Sequence, residues 1–547
     1  MKHYLDSLTG TMNTCWNEKA LCDWHGDEFT FEDVAVQIEK MHIIFDEWGL
    51  GKGGKVALCA QNSARWAISF LAVNTYEAIA VPLLSNFTSE GICRLIDHSG
   101  SVLLFTDSET WIKLDKDRMP SLRAAVCVDD FSLLWSSEGK MLEAFADADR
   151  LFAEKYPDGF RKEYVKYPTG NSKEPAVINY TSGTTSSPKG VILRYECFST
   201  SVDFAIRHIK CSSRDNILSM LPMGHIYGLV FEFLYPFCHG ATVCFLGKTP
   251  SASTLMKAVS EVKPYIVVTV PLVMEKICKS AIKPILDKPA VKAVGRIPLL
   301  DKILHRIIRK KIISAFGGNV GSFIMGGAAL NPETESILRR IRLPYTVGYG
   351  MTEAAPLVAY SQPSEYVPGT CGRGVDTAQV RIDSEDPEHI PGEIQAKGPN
   401  ICSGYFNNPE ATADAFTDDG FLRTGDLGTM DRNGNITICG RLKNLILTAN
   451  GQNVFPEEVE AMINSQDYVL ESLVVEKSSR LVALVLLDEP AIRRKGLNPD
   501  AVSLLSDHIR TACNKRLPAY SQIARIELVD KPFEKTPKLS IKRYLYK

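Results

Sequence analysis

The chain has 547 residues, 45% hydrophobic and 23% charged, with a formal net charge of −2. That length exceeds what one hydrophobic core supports, so two or more domains are expected, and a charge so near zero gives no electrostatic ground for nucleic acid as the partner. No stretch approaches the roughly 18–20 apolar residues that cross a bilayer, and the N-terminal MKHYLDSLTGTMNTC lacks the apolar core of a signal peptide, so a cytoplasmic protein is expected.

From Lys55, VALCA reads as a strand, SARWAISFLAVNTYE as a helix and AIAVPLL as a strand; a helix follows from Thr88, then the strand SVLLFTD. Short apolar strands alternating with helices predict a parallel sheet covered on both faces. The apolar run PAVINY then leads into YTSGTTSSPKGV, Tyr180 to Val191, and VIL follows as a second apolar run. A loop held between two core strands is anchored at both ends, so its small residues serve backbone geometry and hydrogen bonding. It is not a Walker loop, because Pro188 stands where the second glycine belongs and Gly190 where the hydroxyl should follow the lysine. The physical means are similar, however: a nest of backbone N–H groups, Ser/Thr hydroxyls and the charge of Lys189.

The strand pattern returns at PYIVVTVP, GSFIMGG and PYTVGYG, each ending in Gly or Pro, where α/β proteins place ligands. Before GSFIMGG, Ile303, Leu304, Ile307, Ile308 and Ile312 recur at helical spacing beside Arg306, Arg309, Lys310 and Lys311. This is either a basic amphipathic helix that lies on an anionic membrane or a surface helix with its apolar stripe in the core. After about Pro368 shorter strands, AQVRI, GEIQAKG and NITICG, are separated by DDG and DRNG turns, which predicts antiparallel β structure. Between Gly440 and Lys443 the text becomes a shorter α/β stretch, so domains 1–440 and 441–547 are expected. The basic residues of the C-terminal tail, Lys531, Lys535, Lys538, Lys542, Arg543 and Lys547, face only Glu534 along the sequence and either meet phosphates or are solvated. The 14 cysteines contain no CxxC pair, and several sit in apolar runs, which suits a reducing compartment.

The loop YTSGTTSSPKGV is followed in order by LPMGHIYG at Leu221, MGGAAL at Met325, VGYGMTEAAP at Val347, FLRTGDLG at Phe421 and GRLKNLILTANGQNVFPEEVE from Gly440 to Glu460. This series, with FTFEDVA near the start, resembles the adenylate-forming (AMP-binding) superfamily of acyl-CoA synthetases, luciferases and peptide-synthetase adenylation domains. The region from Val262 to Gly327 is similar to the longer insert of long-chain fatty acyl-CoA synthetases. The resemblance implies an α/β fold: a large N-terminal domain of parallel-rich α/β sheets plus a small β subdomain, joined by a hinge near Lys443 to a small, mobile α+β C-terminal domain. It implies activation of a carboxylic acid, a medium- or long-chain fatty acid, to acyl-AMP and pyrophosphate, then transfer to CoA. ATP, Mg²⁺ and CoA are the expected cofactor and co-substrates. The alternatives are an acyl-AMP ligase that loads a separate acyl-carrier protein, an aryl-acid ligase, or a non-catalytic nucleotide-binding relative. Peripheral contact with the inner face of a membrane is compatible with any of them.

The same resemblance assigns residues. Thr181, Ser182, Gly183, Thr184, Thr185 and Lys189 would cradle the β- and γ-phosphates. In YGMTE (Tyr349, Gly350, Met351, Thr352, Glu353), Thr352 would bond the α-phosphate and Glu353, with Thr184, would hold Mg²⁺. Gly326, Gly327 and Ala328 would flank adenine. Asp426 would bind both ribose hydroxyls, as a carboxylate can, and Arg441 would contact ribose or phosphate. His225 would stand near the acyl carboxylate, Lys443 at the hinge, and Gly451 along the pantetheine tunnel. At the C-terminus Ser540 occupies the position of the lysine that assists adenylation in the family, and Lys538 is the expected substitute.

Overall fold

The computed structural model describes residues 2–181, 188–247, 252–289, 291, 297–447, 452–478, 480–535 and 541–546. The expected α/β architecture is present as two seven-stranded sheets. In the first, the strand order is Leu133–Ser136, Ala124–Cys127, Leu103–Thr106, Lys55–Cys59, Ile79–Pro82, Pro175–Thr181 and Lys189–Arg194. Its interior is parallel and only the two outermost strands run antiparallel to their neighbours. In the second, the order is Tyr345–Val347, Ser322–Met325, Ile266–Thr269, Asn216–Ser219, Thr242–Phe245, Lys19–Asp23 and Glu28–Thr30, parallel except for the last pair.

Side-chain alternation along these strands builds the layers. Val56 and Leu58 of the first sheet and Val243 and Val268 of the second share one core with Phe31, Phe70, Phe198 and Phe233, which come from helices lying between the sheets. Ala57 and Cys59 point the other way, onto Ile92 and Ile96 of helix Ser89–Ser99. Cys244, Val267 and Phe323 point outward onto Val259, Ile308 and Ile312. Strands buried on both faces read as unbroken apolar runs, which is why VALCA and IVVT were recognisable. The helix expected from Thr88 starts at Ser89, and Thr88 caps it, its Oγ accepting from the Gly91 N–H at 3.1 Å.

PYTVGYG departs from its reading as one strand. Tyr345–Val347 ends the second sheet, whereas Tyr349–Gly350 crosses into a small antiparallel sheet with Leu357–Tyr360. The expected β subdomain continues as Gln379–Asp383, Gly392–Lys397, Leu422–Met430 and Ile436–Arg441, all antiparallel. Farther on, Val469–Lys477, Arg480–Leu487 and Arg525–Val529 form a three-stranded sheet that shares its own core with helices Pro456–Asn464 and Leu505–Asn514. Among the described residues no helix is long and apolar enough to cross a membrane.

Gly350 is where the crossing into the small sheet is tightest. A Cβ there would lie 1.8 Å from the carbonyl oxygen of Pro356, which also accepts from the Met351 N–H at 2.8 Å. Gly350→Ala must therefore move backbone between Tyr349 and Glu353. We expect it to cost about 3 kcal/mol, read as a melting midpoint lower by roughly 5 °C. Thermal unfolding of the variant checks this; an unchanged midpoint would refute it.

Candidate active site

The strands Pro175–Thr181 and Lys189–Arg194 hold the two ends of the Ser/Thr/Gly loop in one antiparallel ladder, with Thr181 opposite Lys189. Ser182, Gly183, Thr184 and Thr185 lie outside the described residues. At the loop's exit, the Lys189 ammonium stands 5.1 Å from the centre of the Tyr405 ring. The Tyr405 hydroxyl donates to Glu353 Oε1 at 3.0 Å, and Glu353 is buried. Backbone bonds fix this meeting. The Ile192 N–H donates to Gly404 O, the Phe406 N–H to Gly190 O, and the Cys402 N–H to Glu353 O at 2.8 Å. Burial and the Glu353 charge push the Tyr405 hydroxyl well above its ordinary range, so it remains a donor. Tyr405 was missed by the sequence reading: it lies in a short polar segment without periodicity, and only its pairing with the loop's exit strand brings it in.

Thr352 opens a short 3₁₀ turn, Thr352–Ala354, directly after Tyr349–Gly350 and Met351. From the same segment, the Tyr349 hydroxyl donates to Asp426 Oδ2 at 2.7 Å. Asp426 sits on strand Leu422–Met430 opposite Arg441 of the neighbouring strand, whose Nε lies 3.0 Å from Oδ1. Asp426 is only 4% exposed. Burial pushes it above its ordinary value, against the pull of Arg441 and of the Tyr349 hydrogen bond. Each oxygen keeps spare acceptor capacity after these contacts. Lys443 follows in the turn Leu442–Asn444, and Asn444 Nδ2 donates to Glu457 Oε1 at 2.6 Å.

Gly326 ends strand Ser322–Met325 beside the strand that leads to Tyr349, with Met325 opposite Val347. A Cβ on Gly326 would meet the Tyr227 ring at 3.1 Å, so a larger residue would press the ring back by a few tenths of an ångström. Gly327, at φ +84°, and Ala328 are exposed.

His225 is half-buried and heads the helical segment 226–238, whose middle, Leu229–Leu234, is π-helical. Buried or half-buried polar side chains clamp the segment before it. Asn179 Nδ2 donates to Gly224 O at 2.9 Å, and Asn62 accepts from the Met223 N–H and donates to Leu221 O. Glu232 Oε2 accepts from the Met220 and Leu221 N–H groups at 2.9 and 2.8 Å and from Ser219 Oγ at 3.2 Å. None of these three was singled out by the sequence, because a lone Glu inside an apolar run carries no partner information.

Burial pushes the Glu232 carboxyl up to about 8. A folded-state value above the unfolded one means that the folded state holds the extra proton, so stability falls as pH rises from the ordinary carboxylate range to about 8. Glu232→Gln, which resembles the protonated form, removes this loss. The variant should match wild type near pH 4.5 and gain on it by about 1.4 kcal/mol per pH unit until pH about 8. Melting midpoints measured at both ends of that window test the sign.

Gly451 and Lys538 lie outside the described residues, as does Ser540. The basic tail does not face Glu534 alone. Lys535 pairs with Glu471 at 2.8 Å, Lys542 with Glu534 at 3.3 Å, and Arg543 with both Glu460 and Glu457 of helix Pro456–Asn464.

Two stacked α/β sheets, a β subdomain and a small α+β unit, with this loop and carboxylate arrangement at the strand ends, define the adenylate-forming fold. Residues 12–406 match the AMP-binding enzyme family and residues 443–546 match the AMP-binding enzyme C-terminal domain. The chain belongs to that family and is an enzyme of it. It is 29% identical over 452 residues to long-chain-fatty-acid–CoA ligase 4 of Saccharomyces cerevisiae, covering 76% of this chain and 65% of that protein. The chain thus spans slightly under two thirds of the yeast relative's length. It is 27% identical over 497 residues to long-chain-fatty-acid–CoA ligase FadD15 of Mycobacterium tuberculosis, covering 86% of this chain and 79% of the other. The crystal structure of ATP-bound MatB from Rhodopseudomonas palustris shares the fold, with a TM-score of 0.78 at 21% identity over 99% of this chain and 97% of that one.

Proposed function

We propose that the protein activates a medium- or long-chain fatty acid with ATP, giving acyl-AMP and pyrophosphate, and then transfers the acyl group to CoA, releasing AMP. The observation that carries the chemistry is the segment Tyr349–Glu353. One end of it reaches a buried carboxylate, Asp426, and the other presents Glu353 to the hydroxyl of Tyr405, whose ring faces Lys189. A nucleotide needs a diol acceptor at one end and charge management at the other, and one rigid strand and turn supplies both. The acid class rests on the curated relatives, both of which are named as long-chain-fatty-acid–CoA ligases.

The residues fit the groups they would hold. Asp426 has acceptor capacity left for a ribose diol, and Arg441, half-exposed beside it, is free to lean toward a ribose oxygen or phosphate. Glu353 is a buried carboxylate at the loop's exit, close to where the phosphates would lie. One such carboxylate suits Mg²⁺, which prefers water, phosphate oxygens and one or two carboxylates; Glu353 would be its protein ligand with Thr184. When bound, the ion neutralises triphosphate charge.

In the first step an oxygen of the acid attacks the α-phosphorus, and the bond to the β-phosphate oxygen breaks, its electron pair leaving with pyrophosphate. Thr352 bonds the α-phosphate, and Lys189 and the loop hold the β- and γ-phosphates, so catalysis is positioning and charge stabilisation. His225 closes the acid's side of the site. In the second step the CoA thiolate attacks the acyl carbon and the bond to AMP breaks. Between the steps residues 441–547 turn against 1–440, with Lys443 as the hinge. Gly451 then lines the pantetheine path, and Lys538 takes the role of the lysine replaced by Ser540.

Product analysis tests this reading. Purified protein is incubated with ATP, Mg²⁺, CoA and a graded series of fatty and aromatic acids, and products are identified by mass spectrometry. Fatty acyl-CoA is the expected product. Acyl-CoA from aromatic acids alone would overturn the acid class, acyl-AMP without acyl-CoA would move the acceptor to a carrier protein, and neither product would leave nucleotide binding as the surviving function.

A further inference from the structure

Helix Pro298–Ala315 carries two apolar faces where one would suffice. Its inner face, Ile308 and Ile312, is in the core of the second sheet's outer layer. Its outer face bears Leu300 (40% exposed), Ile303 (49%) and Ile307 (50%). At 3.6 residues per turn these three fall in one line along the outer side. Single exposed apolar residues need no explanation, but an aligned stripe on one helix does.

The flanks of the stripe are basic. Lys302, Arg306 and Lys310 follow one another along one side and Lys311 stands on the other, all exposed. The helix's one acidic residue, Asp301, is turned away: it lies 3.2 Å from His305 Nδ1 and 2.9 Å from Arg340. Exposed Arg339 and Arg342 extend the positive field, and Arg309 reaches the Arg342 carbonyl at 3.4 Å. A local excess of this size, on a chain whose net charge is −2, points to an anionic partner that is also apolar beneath its charged surface.

We propose that the outer face of helix Pro298–Ala315 docks on an anionic lipid bilayer, with Leu300, Ile303 and Ile307 set into the headgroup boundary and Lys302, Arg306, Lys310 and Lys311 on the lipid charges. An amphipathic helix lying in the interface plane gains from both buried apolar area and charge. An acidic protein surface would satisfy the cations and leave the isoleucines wet, unless it supplied an apolar groove of matching length. The docking does not depend on which acid the enzyme uses, and it is measured without ATP, acid or CoA.

The test is co-sedimentation of the full chain with vesicles of phosphatidylcholine alone and of equimolar phosphatidylcholine and phosphatidylglycerol. Wild type should bind the anionic vesicles and be released by about 1 M salt, where the screening length is about 3 Å. Arg306→Gln with Lys310→Gln should weaken binding roughly 30-fold, and Ile303→Ser and Ile307→Ser roughly tenfold each. These positions are exposed, so the variants should melt with wild type and keep its rate on a water-soluble acid. Equal binding to both vesicle types would overturn the proposal, as would variants that bind like wild type. A wild-type dimer that Ile303→Asp converts to monomer would also overturn it, by assigning the face to a protein contact.

Discussion

A Glu353→Ala variant should form acyl-AMP about 10²–10³-fold more slowly than wild type, the usual loss when one preorganised electrostatic group is removed from a reacting phosphoryl centre. The carboxylate is buried and held by the Tyr405 hydroxyl, so its charge is focused by a low-dielectric surround and oriented before substrate arrives. Folding should suffer much less: the truncation leaves one hydroxyl unpaired, a cost of about 1–3 kcal/mol. Tyr405→Phe provides the graded comparison. It keeps the ring against Lys189 and removes only the hydrogen bond that aims Glu353, so a loss of about tenfold or less is expected. Pyrophosphate release measured in the absence of CoA isolates the first step. Wild-type release from the Glu353→Ala protein would remove Glu353 from the mechanism.

The second large effect is on nucleotide affinity. Asp426→Ala should weaken ATP binding about 10³-fold, because two hydrogen bonds to a charged acceptor at about 1.5–3 kcal/mol each are lost together. Substrate chemistry separates this from a general disturbance of the site. Wild type should bind 2′-deoxy-ATP distinctly less tightly than ATP, whereas Asp426→Ala should bind the two alike, since the acceptor that senses the missing hydroxyl has gone. Titration calorimetry with both nucleotides on both proteins decides the matter. A variant that still discriminates against the deoxy nucleotide would place ribose recognition elsewhere. Arg441 is half-exposed and loses only a surface partner, and the main structural cost falls on the Tyr349 hydroxyl, left buried without its acceptor.

Helix Pro298–Ala315 shows why sequence periodicity left two readings open. The spacing of Ile303, Leu304, Ile307, Ile308 and Ile312 allows a core stripe or a membrane stripe. In the structure the set divides between both faces, Ile308 and Ile312 inward, Ile303 and Ile307 outward. Period alone could not divide it, because adjacent positions such as Ile307 and Ile308 differ by only 100° around the axis, and which of them is covered depends on where the sheet lies. The tail is a similar case: its lysines and arginine looked unopposed because Glu471, Glu457 and Glu460 are more than sixty residues away in the chain.

The alternation of strands and helices, the turn chemistry of the β subdomain and the order of the glycine-rich blocks are local properties. Backbone hydrogen bonding and side-chain period act within a few residues, so the sequence alone determined the fold class and the identity of the segments that meet at the strand ends. The tertiary structure decided which side chains touch. Tyr405 reaches Glu353 because residues 403–406 add to the edge of the first sheet. Glu232 clamps the Met220–Leu221 turn because a π-helical stretch aims its carboxylate there. PYTVGYG divides between two sheets at Gly348, and the lack of a side chain at Gly350 lets the strand close on the Pro356 carbonyl, from which a Cβ would stand 1.8 Å away. Each of these depends on distance through space between residues far apart in the chain, which periodicity and composition do not encode.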